Sequence, residues 1–334
     1  MIRFATKRLL QAIPVLLGLV VLVFIWVRLL PGDPAQAMLG ENADPAAVAR
    51  LRVAYGFDKP ILEQFWVYLQ RLAHGDFGNS ITTGQPVFEG FISRFPATIE
   101  LAVAAMAFAV LLGIPIGYFA ARHRGSLADG MAVGGSLFGF VVPVFFLAFV
   151  LKYLFAIKLP WFPTIGRQDP RINATHYSGF YILDGILTGE WDAALDAVRH
   201  LVLPAIALGA IPLAMIVRIT RASVLDVISE DYVRTARAKG LTPRLISRRH
   251  VLRNALLPVA TIIGLQTGAL LAGAVLTEQV FAINGVGSYM FNAITSKDYP
   301  VLQACILFVA VIYTVINLLT DMSYGLIDPR ARLS

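Results

Sequence analysis

The sequence predicts an all-α integral membrane protein with six transmembrane helices, on three observations. The first is composition: of 334 residues, 57% are hydrophobic and 15% charged, and mean hydropathy is +0.70. A soluble domain carries roughly 25% charged and about 45–50% apolar residues, so the apolar excess needs lipid around it. The second is run length. A hydrocarbon core about 30 Å thick needs about 20 apolar residues at about 1.5 Å each, and segments near 9–30, 97–121, 129–157, 200–220, 255–281 and 301–325 all reach it. The third is charge placement. With the N-terminus inside, the inner segments hold about 15 Lys and Arg against about 4 acids, whereas the longer outer loops hold about 10 against about 13. Cations concentrate on the cytoplasmic side of membrane proteins, which places both termini there.

That asymmetry accounts for the net charge of +7. No aromatic-and-basic RNA motif or zinc-finger spacing accompanies the charge, so nucleic acid is not implied as a partner. Cys305 is the one cysteine, which excludes an intrachain disulfide and a cysteine-based metal site.

Taken in order, residues 1–30 form an N-terminal membrane helix. Arg3, Lys7 and Arg8 before it and Ala35-Gln36-Ala37 after it resemble a signal peptide. Its apolar run of about 22 residues exceeds the usual h-region of about 7–15, which favours a retained span. Residues 31–96 are an extracytoplasmic loop with helical stretches. Pro31-Gly32-Asp33-Pro34 is a turn, Asn42-Ala43-Asp44-Pro45 opens a helix through Leu51 and Tyr55, and Asp44 can cap it with Pro45 in first position. Ile61, Phe65, Tyr68, Leu69 and Leu72 then recur at helical spacing, as in a helix lying on the membrane or on the bundle. Residues 97–325 are the core and 326–334 a cytoplasmic tail. Within the core, Gly113–Gly117, Gly135–Gly139 and Gly264–Gly268 have the spacing of close helix packing, and Pro115, Pro143 and Pro212 are expected to bend their spans. A second long outer loop, 158–199, contains the sequon Asn173-Ala174-Thr175.

No engine is visible in the chain. It has no G-x-x-x-x-G-K-[ST], no H-E-x-x-H and no G-x-S-x-G, and its five histidines are scattered. A membrane enzyme would show a polar catalytic cluster inside a span, and none is apparent. An ion-coupled carrier would place ionisable groups near the midplane. Arg28, Glu100, Asp129, Lys152, Arg218, Glu278 and Asp321 instead lie within a turn or two of span ends, where they read as snorkelling or interface groups. A bundle with neither device must borrow its energy.

The segment suited to borrowing is 221–254. Ser229 is placed as a helix cap and Glu230 and Asp231 in the first turn, followed by Tyr232-Val233-Arg234-Thr235-Ala236-Arg237-Ala238-Lys239. Acids at the start and cations at the end suit the helix dipole. Gly240 supplies a left-handed stop and Thr242-Pro243 starts a second helix. The result is a projecting knob, or alternatively a basic loop held by anionic headgroups.

From Glu230 through Gly240 and Leu241, and again over Leu252-Arg253-Asn254-Ala255-Leu256-Leu257-Pro258, this segment resembles the "EAA" loop of ABC importer permeases. Ala236 matches the second alanine and Gly240 the glycine. Arg234 and Thr235 stand where the general pattern has glutamate and alanine, and the Leu-Pro pair lies further downstream. Those departures are the habit of the dipeptide/oligopeptide/nickel branch. Leu30-Pro31-Gly32-Asp33-Pro34, His74-Gly75-Asp76-Phe77-Gly78, Ala272-Gly273-Ala274-Val275-Leu276-Thr277-Glu278 and Tyr324-Gly325-Leu326-Ile327-Asp328-Pro329-Arg330 resemble its B-type permeases, closest to those of the dipeptide systems. The resemblance implies a type-1 (MetI-like) bundle in a bacterial inner membrane, importing dipeptides or short oligopeptides by alternating access. It also implies a homologous C-type permease partner, two ATPase subunits that bind the ATP and Mg, and a periplasmic or lipid-anchored binding protein. No cofactor is expected on this chain. Glu230, Asp231, Tyr232, Arg234, Thr235, Ala236, Ala238, Lys239, Gly240 and Leu241 would then form the ATPase-coupling helix and its stop.

Overall fold

The computed structural model describes residues 2–29, 34–39 and 43–327. These residues form helices and turns, with no strand beyond an isolated pairing of Asn79 with Pro86. The turn at Pro31–Asp33, Asn42 and the tail from Asp328 onward lie outside the described residues, as does the side chain of Asp321.

Helix α1 (Ile2–Leu29) is followed by the short α2 (Pro34–Leu39), by α3 (Pro45–Tyr55) and by α4 (Ile61–Ala73). Asp44 caps α3 as expected, accepting from the Ala46 N–H at 3.1 Å with Pro45 next in line. Helix α4 lies on α1: the Phe65 and Tyr68 rings sit 5.0 and 5.6 Å from Phe24, and Arg28 donates to Gln64. Its other face leaves Ile61, Leu62 and Trp66 exposed for lipid.

Two very long helices make the centre, α5 (Val87–Arg122) and, after the elements below, α9 (Trp191–Ser229). At 36 and 39 residues each outruns the about 20 needed to cross lipid. Both start about ten residues before the apolar runs at 97 and 200, because packing outside the hydrocarbon keeps the extra turns helical. Their close approach needs glycine: a Cβ on Gly113 would lie 2.7 Å from Ile216, and one on Gly117 would lie 2.6 Å from the Val217 carbonyl oxygen. Pro115 and Pro212 are carried inside these uninterrupted helices.

The third expected span is broken. It consists of α6 (Leu127–Val141) and α7 (Val144–Leu151), the latter continuing as a π-helical turn Lys152–Lys158, bent by 103° where Pro143 cannot donate to the ladder. Among the described residues five helices are long and apolar enough to cross a membrane, or six if the bent pair counts as one span. The following loop folds into α8 (Tyr181–Thr188). There the Thr175 N–H and hydroxyl both donate to Glu190, at 2.9 and 3.0 Å.

After α9 comes α10 (Asp231–Ala238), then α11 (Pro243–Leu245), which runs through a π-helical Ile246–Leu252 into α12 (Arg253–Gly273). The second helix of the expected knob is therefore the root of the fifth membrane helix. That span also ends sooner than expected, at Gly273, and the residues to 281 form a separate α13 (Val275–Phe281). Helices α14 (Val286–Thr295) and α15 (Tyr299–Ile327) complete the chain. A Cβ on Gly264 would overlap Thr320, and one on Gly268 would lie 2.7 Å from Tyr313, so this pair seats α12 on α15.

Candidate functional site: the knob between α9 and α12

Helix α10 is amphipathic over two turns. Val233 and Ala236, three apart and so on one face, are 0% and 5% exposed. They pack with Ala121 of α5, Val224 of α9, and Ile246, Val251 and Ala255 of the α11–α12 root. One apolar cluster therefore ties the knob to the ends of three long helices. Glu230, Asp231, Tyr232, Arg234, Thr235, Ala238, Lys239 and Gly240 are exposed, while Ala236 and the half-buried Leu241 support the helix from beneath. Val233 escaped the sequence reading, although its i, i+3 spacing to Ala236 could have revealed it.

The start of α10 differs from expectation. Ser229 is the last residue of α9 and donates its hydroxyl to the Asp226 carbonyl at 2.7 Å. Glu230 takes the cap position, in extended conformation and without a side-chain capping bond, and Asp231 opens the helix. The reason is that α9 stays helical to Ser229 and leaves a single residue as the joint. At the other end the expectation holds. Gly240 has φ +75°, its N–H donates to the Arg237 carbonyl at 2.9 Å, and the Leu241 N–H donates to the Ala236 carbonyl at 3.3 Å. This is the Schellman pattern, with Leu241 and Ala236 as its apolar contact. A Cβ on Gly240 would meet nothing within 4 Å, so the demand for glycine is conformational.

Side chains brace the knob further. Tyr232 accepts from the Asn254 amide at 2.7 Å, which fastens α10 to the start of α12. Tyr118 of α5 is hydrogen-bonded to Ser247. Arg221 grips Asp129 through two bonds of 2.6 and 2.7 Å, linking α9 to the beginning of α6. Arg234 pairs with Asp231 at 3.2 Å, but both are largely exposed, so the pair adds little.

The ionisable residues expected to snorkel mostly do not. Arg28 donates to Gln64 and stacks on Phe24, Glu100 pairs with Arg167 at 2.6 Å, and Lys152 donates to the Val280 carbonyl at 2.6 Å. Glu278 is fully buried. It accepts from the Thr98 hydroxyl at 2.7 Å and the Ser288 N–H at 2.8 Å, with Gly285 and Gly287 packed against its carboxylate. Arg218 remains exposed. Four of the partners, Gln64, Arg167, Val280 and Thr98, lie 36, 67, 128 and 180 residues away, which is why span ends alone misread these groups. Among the described residues no cluster of three or more His, Cys, Asp or Glu could hold a metal ion.

Known proteins resemble this chain over its whole length. It is 46% identical to the di/tripeptide transport system permease protein DppB of Pseudomonas aeruginosa, covering 99% of each chain. It is 45% identical to the dipeptide transport system permease protein DppB of Escherichia coli, again over 99% of each, and 43% identical to that of Alkalihalophilus pseudofirmus, over 99% of this chain and 100% of the relative. In fold it is similar to a chain of the MetNI methionine ABC transporter in an inward-facing conformation, with a TM-score of 0.52 at 15% identity, over 70% of this chain and 93% of that one. Residues 1–102 match the N-terminal membrane component of binding-protein-dependent transport systems. Residues 113–333 match the inner membrane component itself. The chain belongs to the binding-protein-dependent transport system inner membrane component family, and so is the membrane-spanning permease of an ABC importer, working with a partner permease, an ATPase and a binding protein.

Proposed function

We propose that this permease forms half of a pathway for dipeptides and short oligopeptides, opened alternately to either side by ATP hydrolysed on two partner ATPases that hold the nucleotide and Mg. A homologous C-type permease supplies the other half, and a periplasmic or lipid-anchored binding protein delivers the peptide. The knob and both termini face the cytoplasm in this reading, which the placement of Lys and Arg supports.

The observation that carries this reading is the split of α10 into a buried and an exposed face. Glu230, Asp231, Tyr232, Arg234, Thr235, Ala238 and Lys239 offer a surface of mixed donors and acceptors for an ATPase cleft. Val233 and Ala236 pass any displacement of that surface to α5, α9 and α12 together. A rigid knob seated on three helix ends is a lever between nucleotide-driven motion and helix rearrangement.

Gly240→Val tests it. A β-branched residue at φ +75° costs roughly 1–2 kcal/mol, enough to swing α10 off its seat while the membrane helices stay inserted. The expected result is a permease made at normal level that co-purifies poorly with its ATPases, or co-purifies without peptide uptake. Uptake at the wild-type rate by Gly240→Val, measured over a panel of di- to pentapeptides in a permease-null strain, would refute the coupling role.

A further inference from the structure

We propose that the seat of the knob contains a binding site for an anionic phospholipid headgroup. A cavity of about 560 Å³ opens between the end of α5, the turn after it and α11, lined by Tyr118, Phe119, Arg122, His123, Arg244 and Arg248 beside Pro243 and Ser247. A second cavity of about 440 Å³ shares Tyr118, Arg122, Pro243 and Ser247 and continues to Arg237 and Leu241, under the Gly240 corner. No acid is among the described residues lining either one.

The fold therefore gathers cations around open space without a counter-charge. Among the described residues the Arg122 guanidinium reaches only the Tyr118 hydroxyl, at 3.3 Å. Neither Arg244 nor Arg248 has a partner among the described residues, and both are exposed. The ring of His123 lies against Phe119, with centroids 4.2 Å apart, and its Nδ1 faces the Phe119 carbonyl at 3.0 Å. Guanidinium groups around one space suit a phosphate, which they can grip through paired N–H donors.

Two features select a lipid phosphate over a soluble one. The lining includes apolar surface, with Phe119 49% exposed, and the neighbouring Leu245 and Leu127 are 41% and 88% exposed, so acyl chains would have a bed beside the cations. The site also lies at the end of one apolar span, Val87–Arg122, and the start of another, Pro243–Leu271; with the cytoplasmic placement proposed above that is headgroup level, where basic pockets between membrane helices bind headgroups. A lipid there would brace α11 against α5 beside the Tyr118–Ser247 bond and so hold the angle of the knob. That consequence rests on the coupling role proposed above, whereas the binding does not.

The test is lipid retention by the complete purified transporter, without nucleotide or peptide, followed by native mass spectrometry. The wild-type complex is expected to keep phosphatidylglycerol at collision energies that strip phosphatidylcholine. The double variant Arg244→Gln/Arg248→Gln should lose that preference several-fold, with its melting midpoint in phosphatidylcholine unchanged. Arg171→Gln, an exposed cation on the far side of the molecule, should keep it. Added phosphatidylglycerol should raise the wild-type midpoint and leave that of the double variant alone. An equal rise with inorganic phosphate would overturn the lipid assignment in favour of a soluble anion. Equal retention of phosphatidylglycerol by wild type and double variant would overturn the site. If the double variant loses its ATPases while retaining lipid, these cations serve an acidic face of the ATPase and the inference is wrong. Because no readout requires transport, failure here leaves the role of α10 standing, and the reverse also holds.

Discussion

Glu278 and Arg244 lie beyond opposite ends of α12 and meet opposite surroundings. Glu278 is walled in by Thr98, Ser288, Gly285 and Gly287, each from an element other than its own helix. Nearby, Glu100 pairs with Arg167, and the Ser80 hydroxyl donates to a buried Asp298 at 2.6 Å. At the knob end Arg221 pairs with Asp129, but Arg244 and Arg248 have no partner among the described residues. The far end thus satisfies its own polar groups from within the chain. The knob end holds its shape with Val233, Ala236, a glycine corner and the Arg221–Asp129 pair, and leaves Arg244 and Arg248 without a partner among the described residues. In a membrane protein that division has a physical basis. Buried polar groups must be satisfied internally, whereas groups at the knob surface can be satisfied by headgroups or by another subunit.

The largest expected effect follows from breaking the closed end. Glu278→Ala leaves the Thr98 hydroxyl and the Ser288 N–H without their acceptor, at about 1–3 kcal/mol for each orphaned group, and adds a void. Cys305 is the single cysteine and is fully buried between α5, α14 and α15, so a thiol-reactive dye reports melting from inside the affected region. Glu278→Ala should lower the melting midpoint strongly, Glu278→Gln less, and Arg244→Ala hardly at all. If Glu278→Ala and Arg244→Ala melt alike, the contrast between the two ends fails.

A middle-sized effect distinguishes the two faces of the knob. Ala236 and Thr235 are adjacent, yet Ala236 is 5% exposed and Thr235 lies on the open face. Ala236→Asp places an unpaired charge against Ala121, Val224 and Val251, a burial that costs several kcal/mol. The knob should detach while the bundle stays folded, loosening the backbone around the already exposed Arg234, Arg237 and Lys239 so that trypsin can cut there. Faster cleavage is expected in Ala236→Asp and wild-type cleavage in Thr235→Asp. Equal rates would mean that α10 is not held through its buried face.

Much of this was legible in the sequence, for reasons that sort by distance along the chain. The apolar helices, the Asp44 cap, the Gly240 stop and the Gly264–Gly268 contact are local patterns, and local sterics decide them. The break at Val142-Pro143 was announced by the proline, but its size was not, because a single proline permits anything from a kink to a turn. The cap was misplaced by one residue because Ser229 is a good capping residue, whereas packing along α9 keeps it helical. Glu278 and Asp129 were misread because their partners lie 180 and 92 residues away. Nothing in the spacing of one sequence could place Thr98 beside Glu278 or Arg221 beside Asp129.

The smallest expected effect asks whether depth, rather than polarity, sets the importance of a contact at the closed end. Glu190 precedes α9 outside the membrane-spanning part and accepts from the Thr175 N–H and hydroxyl. The Thr175 N–H is the main reason its carboxyl titrates below the ordinary value of 4.5, with the Thr175 hydroxyl adding to it. A depressed carboxylate pKa makes its contribution to stability present above the unfolded value and lost as pH falls through the folded one. The loop around Thr175 should therefore be fully held well above the ordinary value of 4.5 and loosen progressively as the pH falls below it. The rest of the closed end, whose contacts are buried, should stay protected over that interval. Hydrogen exchange of the peptide spanning Asn173 to Ser178, corrected for the intrinsic pH dependence of exchange, measures this directly. Glu190→Gln has no carboxylate to protonate, so its exchange should be flat over the same range. If the variant keeps the wild-type pH dependence, the Glu190 carboxylate does not hold the loop. If Thr98, Ser288 and the Glu278 neighbourhood open in step with Thr175, the closed end is no more self-sufficient than its rim.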